Sequence, residues 1–220
     1  MTEPIQSIQA LFFDFDGVLI DSVRTKTKAF EILFQDFSDE IIKAVVSYHT
    51  LHGGISRVEK IRYAHENIIK KPLTEKEVME WANRFSDLVV QEVIRVPWIN
   101  GAKAFLDAFA SKLPVFVISG TPETELKYVV DQRGMSRYFK EILGSPVKKP
   151  EHIRKLLAKY SLAPEQCVFI GDALTDYNAA RETGLYFIGI QGESHFPDTV
   201  KPLPDCQGLE IAIRNICPEF

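Results

Sequence analysis

The feature that most restricts how this chain can fold is a series of short apolar runs separated by segments with helical periodicity. Apolar runs of this length are typical of strands that are buried on both faces of a sheet. The predicted strands cover residues 11–15, 115–119, 141–144, 167–171 and 185–190. Strands that alternate with helices indicate right-handed crossovers, so we predict an α/β fold with a doubly wound parallel sheet. In such a sheet, ligands bind at the carboxyl ends of the strands.

One long segment interrupts this alternation. Residues 22–96 contain helical patterns and no convincing strand. The predicted apolar helix faces are Phe30, Leu33, Phe34 and Phe37, and then Val78, Trp81, Ala82, Phe85 and Leu88 or Val89. Thr74 and Glu77, just ahead of the second face, form a predicted capping box. We therefore expect a helical domain at 22–96 that is inserted into an α/β core formed by 1–21 and 97–220.

Two pairs of aspartates follow predicted strands. Asp14 and Asp16 lie on the same side of the first strand, because side chains alternate along a strand. Asp172 and Asp176 follow the run at 167–171. If the two strands are neighbours, Asp14, Asp16 and Asp172 share one cleft, where like charges repel unless a cation is bound. Mg²⁺ prefers a few oxygen ligands together with water and substrate phosphate, so these residues predict a magnesium site.

Two further strand ends supply groups that suit a phosphate. Ser119 ends the second run and is followed by Gly120 and Thr121, whose hydroxyl and amide groups are candidates to bind phosphate oxygens. We also expect Thr121 to cap a helix that starts at the next residue. The loop after the run at 141–144 carries Lys148 and Lys149, either of which would bring a cation to an otherwise negative site.

Together these four segments resemble the motifs of the haloacid dehalogenase superfamily of phosphohydrolases, and the resemblance covers most of the chain. The matching residues are the pair Asp14 and Asp16, the strand-end Ser119, Lys149 before a proline, and Asp172 and Asp176 in a Gly-Asp-x-x-x-Asp run. The insert after the first motif is similar to the helical cap of one branch, which includes phosphoglycolate phosphatases and β-phosphoglucomutases. We refer to residues 22–96 as the helical cap.

The resemblance implies Mg²⁺-dependent hydrolysis of a small-molecule phosphomonoester through an aspartyl-phosphate. Asp14 would be the nucleophile that attacks phosphorus, and Asp16 the general acid that protonates the leaving alcohol and then the base that activates water. Ser119 and Lys149 would complete the catalytic set by holding the phosphate. Dehalogenation is disfavoured, because the dehalogenases of the superfamily lack the second aspartate that Asp16 supplies here.

The same resemblance implies a set of metal ligands. Asp14, Asp172 and the backbone carbonyl of Asp16 would ligate Mg²⁺. Asp176 would be an outer partner that orients the assembly or Lys149.

Two other functions stay open. A sugar phosphomutase of the same superfamily is suggested by the segment 53–57, which is similar to a phosphate-gripping segment of such mutases, and Arg57 would bind a second phosphate or a carboxylate. These mutases carry a histidine shortly after the first motif, where this chain has Lys26. A non-catalytic binding protein on the same fold is the other alternative, although it would be expected to lose Asp14 or Asp16.

Charge and composition restrict the partners. The formal net charge of -4 offers no basic face for a polyanion, so we expect a small phosphorylated metabolite and no nucleic acid. No apolar stretch approaches the roughly 18 residues that cross a membrane, and we expect a cytoplasmic protein without a membrane partner.

Three scattered cysteines predict neither disulfides nor a zinc site. His49 and His52 lack a third ligand, and we interpret them as hinge or solvent-facing residues. The sequence indicates neither the particular substrate nor the oligomeric state.

Overall fold

The computed structural model describes residues 7–220, and its centre is a five-stranded sheet. The strands are β1 (Ala10–Phe13), β2 (Val115–Pro122), β3 (Glu141–Ser145), β4 (Cys167–Gly171) and β5 (Tyr186–Gly189). All neighbouring strands pair in parallel, in the order β3-β2-β1-β4-β5. The predicted doubly wound parallel sheet is confirmed.

The register between β1 and its neighbouring strands determines where the residues that follow these strands lie. Phe13 is aligned with Val117 of β2 and with Ile170 of β4. All four residues of β1 are buried, as expected for a central strand covered on both faces. Because parallel strands in register end at the same edge, the residues that follow β1 and β4 leave the sheet side by side.

The helices fall into two groups. Residues 22–96 contain α1 (Val23–Leu33), α2 (Asp39–Leu51), α3 (Arg57–Tyr63), a π-helical turn (Ala64–Ile68) and α4 (Glu75–Arg95), and no strand. The later helices are α5 (Ala102–Phe109), α6 (Glu123–Gln132), α7 (Lys149–Tyr160), α8 (Leu174–Thr183) and α9 (Leu209–Ile216). Within residues 7–220, none of these helices has the length and apolar character that a membrane crossing requires.

Alternate residues of β1 bury themselves in two different apolar layers. Leu11 and Phe13 pack in the layer that contains the buried faces of α5, α6 and α9, whereas Phe12 packs with those of α7 and α8. The period of two along the strand therefore places helices on both faces of the sheet.

Details of the helical cap differ from the sequence prediction. The helix face that we expected to run to Phe37 ends earlier, because α1 stops at Leu33. Phe37 nevertheless packs on Trp81, with ring centroids 6.2 Å apart, so its burial comes from tertiary contact and not from helical phase.

In α4, Val89 is buried while Leu88 is 36% exposed, which settles the alternative between them. The capping box of Thr74 and Glu77 is present.

Two contacts secure the junction between the helical cap and the sheet. Ile20 and Trp98 form an isolated antiparallel bridge between the outgoing and returning chain. Arg133, just after α6, donates from Nη1 to three carbonyls at the end of α4, those of Val93, Ile94 and Val96. These carbonyls belong to the last turn of a helix, where intrahelical donors are lacking. The division into a core of 1–21 and 97–220 and a cap of 22–96 stays a prediction.

Candidate active site

Three carboxylates meet at the edge where β1 and β4 end. One oxygen from each of Asp14, Asp172 and Asp176 lies within 4.8 Å of the others. Asp14 directly follows β1, Asp172 directly follows β4, and Asp176 lies in the first turn of α8. Asp14 and Asp176 are buried, and Asp172 is partly buried. The structure therefore brings together the aspartates that the sequence placed after two different strands.

Burial dominates the electrostatics of this group. It raises the pKa of Asp14 to about 7, with Lys149 opposing the shift and Asp176 adding to it. Burial, reinforced by Asp14 and Asp176, also raises the pKa of Asp172 well above its ordinary value. Both shifts have the same origin, since ionised carboxylates lose hydration and repel each other in a nearly dry site. A bound cation would offset both effects.

Lys149, and not Lys148, is the lysine of the site. Its Nζ lies 2.5 Å from Asp176 Oδ1 and 3.1 Å from Asp14 Oδ1, whereas Lys148 is exposed. Burial opposes the charge of Lys149, but the two aspartates outweigh it and raise its pKa, so the ammonium stays protonated. The other oxygen of Asp176 accepts the backbone N–H of Ala173 at 3.1 Å. Asp176 is thereby held between Lys149 and the start of α8.

The carboxylate group fits a hard divalent cation. Within residues 7–220, Asp14 Oδ1 is buried and accepts no hydrogen bond, despite its charge contact with Lys149. Every candidate metal-ligand atom in the group is a carboxylate oxygen, the ligand type that Mg²⁺ prefers. The side chain of Asp16 is not part of the group, and its expected backbone ligand stays a prediction. His49 and His52 belong to no comparable cluster within residues 7–220.

Asp16 lies in a separate network. Its Oδ1 accepts the hydroxyl of Ser22 at 2.5 Å, and its Oδ2 accepts the hydroxyl of Thr121 at 3.0 Å and that of Ser119 at 3.3 Å. Lys26 Nζ lies 2.6 Å from the same Oδ2. Burial opposes ionisation of Asp16, but Lys26 and the hydroxyls of Ser22 and Thr121 outweigh it and lower its pKa to about 2. Two residues apart, the aspartates of the first motif therefore have opposite electrostatic environments.

Thr121 does not cap a helix, contrary to the sequence prediction. β2 continues to Pro122, where it still pairs with β3, and α6 begins only at Glu123 without a side-chain cap. The hydroxyl of Thr121 bonds Asp16, and its backbone N–H donates to Ser119 Oγ at 3.1 Å. Extended backbone thus keeps residues 119–121 beside the carboxylates. Their binding of phosphate stays a prediction.

Gly17 permits the close approach of the two strand ends. Its φ of +77° lies in the left-handed region, and a Cβ at this position would lie 2.2 Å from Asp172 Oδ2. A side chain at residue 17 would therefore strain the backbone and displace Asp172.

The helical cap reaches the strand ends through a pair of glycines. Thr175 Oγ1 donates to the carbonyl of Gly53 at 3.1 Å, and a Cβ on Gly54 would lie 1.9 Å from the same hydroxyl. A Cβ on Gly120 would lie 2.5 Å from the carbonyl oxygen of Gly54. These contacts leave no room for side chains at Gly54 and Gly120, so the loop between α2 and α3 lies directly over the carboxyl ends of β2 and β4.

Arg57 lines the cavity between the helical cap and the strand ends, but its guanidinium is already paired. It forms a two-bond ion pair with Glu125 of α6 and donates to Ser86 Oγ at 2.6 Å. Arg57 is only 6% exposed. Its expected role as a ligand for a second anion stays a prediction and requires Glu125 to give way.

Two cationic residues of this cavity, Lys26 and Lys60, were not predicted as site residues. Lys26 precedes the buried Phe30 by four residues, so both lie on one face of α1. Lys26 also stands where the resembled mutases carry a histidine, and these were the two available signals. Lys60 lies on α3, and nothing in its local pattern indicated burial beside the cleft.

Comparison with known proteins identifies the family. The model of the haloacid dehalogenase-like hydrolases matches residues 8–184. The chain belongs to this hydrolase family. The phosphoglycolate phosphatase of Vibrio cholerae is 24% identical over 217 residues, covering 91% of this chain and 92% of that protein. The resemblance predicted from the four motifs and the expectation of a hydrolytic enzyme are both confirmed.

Solved structures share the fold of this haloacid dehalogenase-like hydrolase. A predicted phosphoglycolate phosphatase from Haemophilus somnus superimposes with a TM-score of 0.73 at 22% identity, covering 94% of this chain and 98% of the other. The β-phosphoglucomutase of Clostridium difficile superimposes with a TM-score of 0.74 at 19% identity, covering 96% and 98%. Phosphatase and mutase relatives thus have the same architecture, which by itself does not separate the two activities.

Proposed function

We infer that this hydrolase is a Mg²⁺-dependent phosphatase that hydrolyses a small phosphomonoester through phosphorylation of Asp14. The observation that carries the proposal is the position of Asp14 at the end of the central strand, with Lys149 on one side and Asp16 two residues further on. Relatives named phosphoglycolate phosphatase make phosphoglycolate the first substrate to assay.

In the first step, a carboxylate oxygen of Asp14 attacks phosphorus while the bond from phosphorus to the alcohol oxygen breaks. Lys149 lowers the repulsion between Asp14 and the phosphate, since its ammonium lies 3.1 Å from the attacking carboxylate. Asp16, which is ionised in the free enzyme, takes up the proton of the monoanionic substrate phosphate and passes it to the departing alkoxide. Ser119 and the backbone amide of Gly120 hold the phosphate oxygens in line with Asp14.

In the second step, water attacks the phosphorus of the aspartyl-phosphate, and Asp16 accepts its proton. This breaks the bond between phosphorus and Asp14 and releases inorganic phosphate. Lys26 keeps Asp16 ionised, which is the form needed to accept a proton. The same carboxylate thus serves as acid in one step and as base in the next.

The metal would be held by Asp14 and Asp172, with the backbone carbonyl of Asp16 as a third ligand. Bound there, Mg²⁺ supplies positive charge that neutralises the phosphate oxygens and lets an anionic nucleophile approach. Asp176 would orient Lys149, in keeping with their 2.5 Å contact.

A sugar phosphomutase remains the second candidate, because Arg57 lines the cavity and the fold is shared with a β-phosphoglucomutase. Against it stands Lys26, which occupies the place where the resembled mutases carry a histidine and is bonded to Asp16. A phosphatase needs no group beyond those that surround Asp14 and Asp16.

The test is phosphate release from a panel of phosphomonoesters, with Mg²⁺ and with excess chelator. Wild type, Asp14→Asn and the exposed control Asp87→Asn are compared side by side. Release that requires Mg²⁺ and Asp14 but not Asp87 supports the proposal. If no monoester is hydrolysed while a sugar phosphate is isomerised in the presence of its bisphosphate, the phosphatase assignment is wrong and the mutase stands. Ligand binding without turnover of either kind would favour a binding protein.

A further inference from the structure

Arg57 and Lys60 line the cavity but have no role in the proposed chemistry. The cavity lies between the strand ends and the helical cap, and the cap side is formed by Lys26, Phe30, His49, Arg57, Lys60 and Phe85. Two of its three cations are neutralised, since Lys26 pairs with Asp16 and Arg57 pairs with Glu125. Within residues 7–220, no carboxylate oxygen lies within 4.0 Å of Lys60 Nζ.

Among the residues that the structure describes, Lys60 Nζ contacts only the neutral His49 within hydrogen-bond distance. Its Nζ lies 3.0 Å from the carbonyl oxygen of His49 and 2.9 Å from His49 Nδ1. An ammonium has three N–H donors, so one remains uncommitted. When Nδ1 accepts from the ammonium, the neutral imidazole carries its own proton on Nε2, which becomes a second donor. Burial, with Lys60 adding to it, lowers the pKa of His49 to about 3 and keeps the ring neutral.

Burial of Lys60 without a counter-charge is energetically unfavourable. The residue is 5% exposed, and burial, with Lys26 adding to it, lowers its pKa to about 7. Buried ammonium groups in proteins are normally paired. A ligand anion in the cavity would supply the missing charge and would accept the free N–H. The nearby acidic groups Glu193, Asp172 and Asp16 act on Lys60 from beyond ion-pair distance.

We propose that Lys60, held by His49, binds a carboxylate carried by the phosphomonoester substrate, so that the enzyme acts on small phosphorylated acids. This inference rests on the phosphatase function proposed above. A carboxylate fits better than a second phosphate because the cap side of the cavity has one unneutralised positive charge, which matches a single negative charge. Phe30 and Phe85 flank the site and suit the short hydrocarbon part of such a substrate.

The test uses substrate pairs that differ only in a carboxylate and a hydroxymethyl group. Phosphoglycolate is paired with 2-hydroxyethyl phosphate, and 3-phosphoglycerate with glycerol 3-phosphate. We expect wild type to prefer the acid of at least one pair in kcat/KM. A charged hydrogen bond contributes about 1.5–3 kcal/mol, so Lys60→Met should lower kcat/KM for that acid by about 10- to 150-fold, mainly through KM. The corresponding alcohol should change by no more than about twofold, because it lacks the carboxylate that Lys60 binds.

Two controls separate recognition from folding. Lys76→Met removes an exposed lysine of the same helical cap and should leave both substrates unchanged. Lys60→Arg restores the positive charge and should recover part of the preference for the acid. Because the wild-type comparison needs no variant, equal kcat/KM for acid and alcohol in both pairs overturns the inference even if Lys60→Met fails to fold.

The outcomes also distinguish this inference from the proposed function. Hydrolysis of the alcohols and acids with equal efficiency leaves the phosphatase intact and removes the carboxylate assignment. A dependence on Lys60 that is confined to bisphosphates overturns the carboxylate in favour of a second phosphate. If no phosphomonoester is hydrolysed at all, the proposed function fails and this inference fails with it.

Discussion

Lys26 of α1 lies 2.6 Å from Oδ2 of Asp16, the carboxylate proposed to exchange protons with substrate and water. Lys26 Nζ also lies 2.8 Å from the hydroxyl of Thr121. The helical cap therefore supplies one of the groups that hold Asp16, so the proposed acid–base carboxylate is positioned in part by a residue of the insert.

This contact predicts that Lys26→Met lowers kcat. Loss of the ammonium frees Asp16 to leave the position set by Lys26 and Thr121, and misplacement of a catalytic group costs about 10- to 100-fold in rate. Steady-state kinetics should show the loss in kcat more than in KM. Lys28→Met is the matched control, since Lys28 is exposed on the same helix. Unchanged kcat in Lys26→Met would mean that Lys26 does not position Asp16.

Asp16→Asn should slow hydrolysis without abolishing metal binding. Asparagine keeps the shape and can accept from Ser22, but it cannot transfer the proton, and general acid–base catalysis contributes about 10²- to 10⁴-fold. The turnover number and the Mg²⁺-induced shift in Tm are measured on the same preparation. Full activity in this variant would remove Asp16 from the acid–base role.

Mg²⁺ should stabilise the folded protein, and Asp14→Asn should reduce that effect. A ligand at 100 times its Kd stabilises by about 2.7 kcal/mol, which corresponds to a rise of several degrees in Tm for a protein of this size. Differential scanning calorimetry with Mg²⁺ and with chelator measures the rise. Asp172→Asn should reduce it in the same way, whereas the exposed Asp87→Asn should not. An equal rise in all four proteins would place the metal elsewhere.

Gly54→Ala and Gly134→Ala form a matched pair that isolates the contact between the helical cap and the strand ends. Both glycines have positive φ, at +75° and +65°, so alanine should destabilise each by about 1–2 kcal/mol. At Gly54 the added Cβ would meet the hydroxyl of Thr175, whereas at Gly134 no atom of the described chain lies within 4 Å. We expect kcat/KM to fall about 10- to 100-fold in Gly54→Ala alone, because the loop is pushed off the site. Equal kinetics in the two variants would argue against a need for this closure.

His49 should make the free energy of unfolding depend on pH. Its folded pKa of about 3 lies below the ordinary 6.5, so the unfolded state binds more protons between these values and stability falls as pH falls through this window. The loss is up to about 1.4 kcal/mol per pH unit. The charged groups that act on His49 are Lys60, Lys26 and Asp16.

His49→Gln removes this term. Urea unfolding from pH 4 to pH 6.5 should therefore show a weaker pH dependence in the variant than in wild type. His195→Gln, at an exposed histidine, should follow wild type. Parallel curves for all three proteins would mean that His49 is not buried in its neutral form.

Most of the sheet could be predicted from the sequence because its signals are local. The strand 167–171 was predicted at the bounds observed, and the capping box at Thr74 and Glu77 follows from residues three apart. Asp14 and Asp172 could be placed at one edge because parallel strands end together. The errors occurred where local pattern and tertiary contact disagree: Phe37 extended a helical pattern past the end of α1, and Thr121 had the form of a helix cap but continues β2.

The sequence by itself therefore determined which residue types stand at the ends of the strands, and with them the class of chemistry. Only the tertiary structure decided which charges are neutralised. It selected Lys149 over Lys148, paired Lys26 with Asp16 and Arg57 with Glu125, and left Lys60 without a carboxylate partner among residues 7–220. The physical reason is that strand and helix periodicity act over a few residues, whereas the field at a buried charge depends on groups far away in the chain that folding brings within a few ångströms.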